Sequence, residues 1–247
     1  MKKLLLAAAA LLVHLCATAQ FYLIGTAQYM DDPDCIQLTP DVPYSEGIAY
    51  STTLLDLSRY FEIQFEIYLG DKDVGADGIT FVIHNDVRGF EAFGTWGECM
   101  GYGRWAPESY ANSIDPSIAI EFDTYQNYRQ NDPACDHIAY LENGISRHQV
   151  YWNNNDPGYN MEDDRLHDFR FRWEPNAQQI TVLLDGNIVY TGNKDLKKDI
   201  FSNVTQVIWG FSASTGYKHN LQYFCLRRIA YFDSKPWKLN LNIFKTD

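Results

Sequence analysis

The sequence contains no stretch that reads as an amphipathic helix, no internal repeat and no low-complexity tract. Helical bundles, solenoids and disordered chains are thereby excluded. No run of Pro, Gly or Ser divides the chain as a linker would, so residues 20–247 read as one domain. Basic residues are scarce, 20 Lys and Arg against 32 Asp and Glu, for a formal charge of −12. Such a surface disfavours nucleic acid and anionic membranes and tolerates cations. The apolar run at residues 4–13 is too short to span a bilayer comfortably, so no membrane insertion is expected. Signatures of catalysis are also missing. His84 has no Ser or Cys nucleophile motif beside it, and Gly-Phe-Ser-Ala-Ser at residues 210–214 lacks the nucleophile-elbow pattern. An EF-hand reading of residues 123–127 fails for want of the following Gly and the closing Glu.

What is present begins with a targeting segment at residues 1–19. Lys2 and Lys3 supply the charged start, residues 4–13 the apolar centre and Ala17-Thr18-Ala19 a small-residue cleavage site. The expected product is a soluble exported chain beginning at Gln20, periplasmic or at the cell surface in a bacterium. Lipidation at Cys16 is the alternative, but His14 and Leu15 stand where small residues are expected. Beyond the leader lie Cys35, Cys99, Cys135 and Cys225, an even number that suggests disulfides with three connectivities. The expected pairs are Cys35–Cys225, joining the ends of the domain, and Cys99–Cys135, joining two loops. Four buried free thiols are the alternative.

The rest reads as short strands separated by turns. Residues 60–69 alternate, with Phe61, Ile63, Phe65, Ile67 and Leu69 on one side and Glu62, Gln64 and Glu66 on the other. Residues 79–83 form a short apolar strand, and Phe169, Phe171 and Trp173 alternate with Arg170 and Arg172. Residues 179–184 enter an Asp185-Gly186 hairpin turn and residues 187–191 leave it. Residues 204–212 and 221–232 complete the set, and Leu239, Leu241 and Ile243 predict a last edge strand or an arm on a partner. Aromatics make up 15% of the chain, enough for a large apolar core. The fold class is all-β, a β-sandwich.

The chemistry concentrates at residues 117–137. Ile118, Ile120 and Phe122 alternate with Ala119, Glu121 and Asp123, the pattern of a half-buried strand with two acids side by side. Adjacent carboxylates repel unless a cation or shared proton intervenes. Tyr125 and Asn127 continue the spacing, and Asp132 and His137 return from the following loop. Oxygen donors suit Ca²⁺, and carboxylates with an imidazole suit Mn²⁺ or Zn²⁺. Steps of two, two, two, five and five residues from Glu121 to His137 resemble the metal-binding segment of legume-type, concanavalin-like (L-type) lectins. The resemblance implies that Glu121, Asp123, Asp132 and His137 hold a transition metal. It also implies that Asp123, Asp132, the Tyr125 carbonyl and the Asn127 side chain hold Ca²⁺.

Three further stretches are similar to the same family. Gly75-Ala76-Asp77-Gly78 resembles its Ala-Asp-Gly turn, in which the Asp accepts from sugar hydroxyls after a cis peptide bond. Residues 94–103 resemble its glycine-rich loop, placing a backbone donor to sugar near Gly97 or Glu98, although Glu98 and Cys99 depart from the usual residues. Trp96 and Tyr102 are candidates to stack on a sugar face or to sit in the core. Residues 209–216, Trp-Gly-Phe-Ser-Ala-Ser-Thr-Gly, resemble the strand before its specificity loop, here Tyr217, Lys218, His219 and Asn220.

The resemblance covers residues 21–232 and implies a concanavalin-like jelly roll of two large antiparallel sheets, in a secreted, bacterial-type member. The expected function is Ca²⁺-dependent glycan binding without catalysis, through Asp77, Gly97, Glu98, Tyr125, Asn127, Tyr217 and Lys218. Weak affinity would be raised by a homo-oligomer or a multivalent glycan surface. Two alternatives stand. A β-sandwich glycosidase of the laminarinase type needs a second carboxyl where Gln126 lies, and an amide cannot protonate a leaving oxygen. A non-sugar-binding adhesive or structural domain would have no need of Asp77 or Asn127.

Overall fold

The computed structural model describes residues 20–148 and 150–236. The expected leader and the expected strand at Leu239, Leu241 and Ile243 lie outside them. Strands follow one another as β1 (Phe21–Gly25), β2 (Gln28–Tyr29), β3 (Cys35–Thr39), β4 (Glu46–Ser51), β5 (Leu55–Asp56), β6 (Tyr60–Tyr68), β7 (Gly78–His84) and β8 (Ser117–Asp123). They continue as β9 (His137–Glu142), β10 (Tyr151–Trp152), β11 (His167–Glu174), β12 (Gln179–Leu184), β13 (Asn187–Asn193), β14 (Gln206–Ser214) and β15 (Gln222–Phe232). Among the described residues the only helices are single turns of three to five residues.

Two antiparallel sheets form. One runs β1-β4-β14-β7-β8-β9-β10, with β5 pairing β14 at its end, and the other runs β13-β12-β11-β6-β15-β3-β2. Alternation explains the layers. Ile79, Phe81 and Ile83 of β7 stand opposite Phe122, Ile120 and Ile118 of β8 and send their side chains between the sheets. There they meet Phe61, Phe65, Phe169, Phe171 and Trp173 of the second sheet. Rings pack edge-on or offset, Phe65 against Phe211 at 4.7 Å and Phe122 against Phe169 at 5.0 Å, the arrangement the aromatic quadrupole favours. The buried indole N–H groups of Trp173 and Trp209 donate to the Leu57 and Thr53 carbonyls, at 2.9 and 2.8 Å. No polar atom of these large rings is therefore left dry.

Every residue of β8 is buried, where the alternation alone predicted a half-buried strand. The reason is a second apolar cluster on the outer face of the first sheet. Ile48, Tyr50, Val82, Ala119 and Leu141 lie there beneath Ala92, Tyr102 and Ile114 of the long loop between β7 and β8. Glu121 and Asp123, on the same face, are also buried.

The expected Cys35–Cys225 bridge forms between β3 and β15. The expected Cys99–Cys135 bridge does not; both cysteines are free. Cys99 is a buried residue of the glycine-rich loop, and its sulfur accepts from the Gln130 amide at 3.2 Å. Cys135 lies on a different loop and accepts from Asn153, also at 3.2 Å.

Candidate metal centre and ligand site

The site lies on the outer face of the first sheet, where β8 and β14 end and β7 begins. Antiparallel register sets Gly78 opposite Asp123 and Thr80 opposite Glu121 on one side, and Asp123 opposite His137 on the other. Strand periodicity then stands Glu121 and Asp123 on one face, with His137 beside them. After Asp123 the chain turns tightly. The Tyr125 amide donates to Asp123 Oδ1 at 2.7 Å, and the Asn127 amide donates to Asp132 Oδ2 at 2.6 Å. A single helical turn, Tyr128–Gln130, ends at Asn131 with φ +75° and brings Asp132 back over the strand.

The five side chains Glu121, Asp123, Asp132, His137 and His148 converge in two overlapping sets that share His137, with ligand atoms within 4.8 Å in each. All five are buried. Burial and mutual repulsion raise the carboxyl groups: Asp123 rises well above its usual range through burial, Glu121 and Asp132. Burial pushes Asp132 up to about 7, with Glu121 adding to it and the Asn127 amide opposing. Burial and the neighbouring His148 hold His137 down to about 3. Such a concentration of like charge away from water is stable only with a counter-charge. The unpaired atoms agree. Glu121 Oε2, Asp132 Oδ1, His137 Nε2, both ring nitrogens of His148 and Asn127 Oδ1 are buried without a hydrogen-bond partner. Carboxylate, amide and imidazole donors in this state fit a pair of cations.

His148 is absent from the sequence expectation. It sits in an irregular loop outside any strand or helix, and no local pattern marks it. Two long-range contacts bring it in: a bridge between Arg104 and Ile145, and the Asn131 amide donating to the His148 carbonyl at 3.3 Å.

Asp77 stands next to this centre. The peptide bond before it is cis, as the resemblance implied. The Asp77 amide donates to the Ser214 carbonyl at 3.1 Å, and its own carbonyl accepts from the Thr124 amide at 3.1 Å. The turn is thereby tied both to β14 and to the residue after Asp123. Asp77 is 6% exposed, and its carboxyl group accepts from the Gly216 amide and leaves Oδ2 unpartnered. Burial, with Glu98 adding to it, pushes Asp77 up to about 7.

The glycine-rich loop docks on the same strand end, where Ser214 Oγ donates to the Gly97 carbonyl at 2.9 Å. Gly97 has φ +66° and open space where a Cβ would stand. Glu98 is turned away into an ion pair with Arg129, at 2.6 Å. Tyr125 is 39% exposed, and it and Lys218 line one cleft of about 530 Å³ with Thr124, Asp136 and Tyr159. Tyr217 is 76% exposed on the loop after β14. His219 pairs with Asp41 at 2.7 Å. Asn220 is fully buried and packs where Gly70 and Gly75 leave room. Of the two aromatics considered for stacking on a ligand, Tyr102 is fully buried and bonds Ser117 and Gly144. Trp96 stacks on Phe93 and covers Gly101.

The fold has known counterparts. Peanut lectin aligns with a TM-score of 0.65 at 20% identity, over 87% of this chain and 91% of that one. The Bauhinia forficata lectin, solved with GalNAc, aligns with a TM-score of 0.68 at 19% identity, over 90% and 96%. Arcelin-5 of Phaseolus vulgaris, a lectin-like defense protein, aligns with a TM-score of 0.62 at 18% identity, over 85% and 91%. The pesticidal crystal protein Cry22Aa of Bacillus thuringiensis is 31% identical over 108 residues, 44% of this chain but 13% of that protein. The model of the legume lectin β-barrel domain matches residues 14–228, most of the sequence. The chain belongs to the legume lectin domain family, whose members are non-catalytic carbohydrate-binding proteins.

Proposed function

We propose that this protein is an exported lectin that binds glycans at a Ca²⁺-organised site on the outer face of its first sheet. One observation carries the reading: Asp77 holds an unpartnered, buried carboxylate oxygen next to the cation-demanding cluster, and the Thr124 amide ties the two together. Asp123, Asp132, the Tyr125 carbonyl and the Asn127 side chain would hold Ca²⁺, with Glu121, Asp123, Asp132 and His137 around a transition ion such as Mn²⁺. The ions supply fixed positive charge and pre-organise the loops, reducing the ordering cost of binding. Asp77 then accepts from sugar hydroxyls, the Asn127 amide donates, and a backbone amide at Gly97 or Glu98 donates beside them. The half-exposed Tyr125 ring offers an apolar face, with Tyr217 and Lys218 at the border.

A hydrolytic role has no support at this site. Gln126, in the position a laminarinase-type acid would need, points its amide at the Asp132 carbonyl, 3.4 Å away. Single-site affinity is expected to be weak, so an oligomer or a multivalent glycan surface raises it by avidity.

A glycan array with Ca²⁺, repeated after chelation, tests the reading. Signal on a related set of glycans that vanishes with chelator is expected, and Asp77→Ala and Asn127→Ala abolish it while circular dichroism stays β-type. Binding retained by both variants overturns this site, and silence from folded, Ca²⁺-loaded protein turns the reading to an adhesive domain.

A further inference from the structure

The loop that carries His148 adds something the spacing of the other ligands does not contain. His148 is 3% exposed and neither ring nitrogen has a hydrogen-bond partner. Its Nδ1 lies 3.5 Å from Glu121 Oε2 and 3.9 Å from Asp132 Oδ1. His137 Nε2, also without a partner, lies 3.8 Å from the same Asp132 oxygen. The two imidazoles lie side by side, tilted at 46° with ring centroids 4.7 Å apart. Tyr151 packs edge-on against both, at 5.6 and 5.9 Å, which holds the pair in place.

We propose that His148 is a direct ligand of the transition ion, and that this position takes Zn²⁺ in preference to Mn²⁺. The inference rests on the metal reading above and specifies its ligand set. Two atoms bound to one ion at about 2.1 Å in a tetrahedron stand about 3.4 Å apart, close to the spacings seen here. The His148–Glu121, His148–Asp132 and His137–Asp132 separations are each within about 0.5 Å of that value, and the ligand atoms of Glu121, His137 and His148 all lie within 4.8 Å of one another. Chemistry points the same way. Carboxylate-rich positions suit Mn²⁺, imidazole suits Zn²⁺, and affinity rises along the first-row series from Mn²⁺ to the later ions. Replacing one oxygen donor by a second imidazole moves the site along that series. The competing role is a protonated His148 serving as counter-ion to Glu121. It accounts for one ring nitrogen but leaves the other without a partner, and it sets a cation beside a second buried imidazole.

The test uses the purified, metal-stripped protein with Ca²⁺ held constant. Zn²⁺ and Mn²⁺ are titrated separately against a competing chelator, for the wild type, His148→Gln and His137→Gln. The wild type is expected to bind Zn²⁺ at least about a hundred-fold more tightly than Mn²⁺, and His148→Gln to lose at least about ten-fold in Zn²⁺ affinity with little change for Mn²⁺. A second readout needs no variant. In Co²⁺-loaded wild type, hyperfine-shifted, exchangeable imidazole N–H resonances count the bound histidines. Two such resonances support the proposal, and one overturns it. Equal Zn²⁺ affinity in the wild type and His148→Gln, with loss only in His137→Gln, also overturns it while leaving the metal reading intact. Failure of every form to take up any ion removes the metal reading itself.

Discussion

The outer face of β8 carries two neighbourhoods, one at each end of the strand. At the Ser117 end the Tyr102 hydroxyl sits 3.0 Å from Ser117 Oγ and accepts from the Gly144 amide, while Ser117 Oγ donates to the Ile114 carbonyl at 2.6 Å. Asp86 is clamped by Arg88 and by the Asp115 amide, and these contacts outweigh its burial to bring it down to about 2. At the Asp123 end of the same strand, carboxylates and imidazoles are equally buried, but Glu121 Oε2, Asp132 Oδ1, His137 Nε2 and both His148 ring nitrogens lack partners. Burial is common to both ends, so burial alone marks no site. Buried polar groups with no partner are the exception in a folded protein, and a cluster of them identifies where something else is meant to bind.

The largest expected effect comes from neutralising the unsatisfied end. Asp123→Asn should lose the thermal stabilisation that Ca²⁺ gives the wild type, a difference of about 3 kcal/mol at a hundred-fold excess over Kd. In chelator the order should reverse, with Asp123→Asn the more stable, because a repelling carboxyl has been replaced by its neutral isostere. Calorimetric melts with and without Ca²⁺ check both arms; a variant less stable under both conditions would place Asp123 among the ordinary structural acids.

His84 is an unsatisfied side chain at the other end, and it sharpens the contrast. Its Nδ1 accepts from the Asp86 amide at 3.3 Å, its Nε2 has no partner, and its ring lies 4.6 Å from that of Tyr50. Burial holds the imidazole down to about 4 from 6.5, against the attraction of Asp86. Between these values the unfolded chain takes up a proton that the folded protein refuses, so stability falls as pH drops from 6.5 to 4. The loss is at most about 3 kcal/mol and levels off below that window. His84→Phe should remove this component; urea midpoints at pH 7 and 4.5, in chelator, give the difference.

Tyr102→Phe should produce the smallest change, about 1–3 kcal/mol of destabilisation from leaving the Gly144 amide without its acceptor. Unlike the first substitution it should be indifferent to Ca²⁺. A Ca²⁺-dependent effect of Tyr102→Phe on melting would break the division between the two ends.

Where sequence and structure agree, the information was local. A strand repeats every two residues, so the spacing of Glu121, Asp123 and the core residues between them fixes their faces without knowledge of any neighbour. The same holds for Phe61 to Ile67 on β6 and for the hairpin at Asp185-Gly186, which joins β12 and β13. What was illegible depends on how irregular loops pass one another. His148 reaches the centre through Asn131 and a bridge at Ile145, contacts that no periodic pattern encodes. Cys99 and Cys135 were expected to meet because both lie on loops near the site, but each sulfur is satisfied by a different amide. Tyr102 offered no clue to its burial, since the roof it belongs to is a loop folded over the sheet.

β14 is the fourteenth strand of the chain, yet it lies inside the first sheet, between β4 and β7. The Asp77 turn, the Gly97 loop and Gly216 are all fastened at its end. During synthesis from the N-terminus, β4 and β7 must wait with open edges until the ribosome has released nearly the whole domain. Long-range pairing of this kind is slow and leaves the nascent chain dependent on protection from aggregation. Ligand competence is consequently a late, all-or-none event: a product cut short before Gln206 would be silent rather than feeble, and binding certifies that the last insertion has taken place.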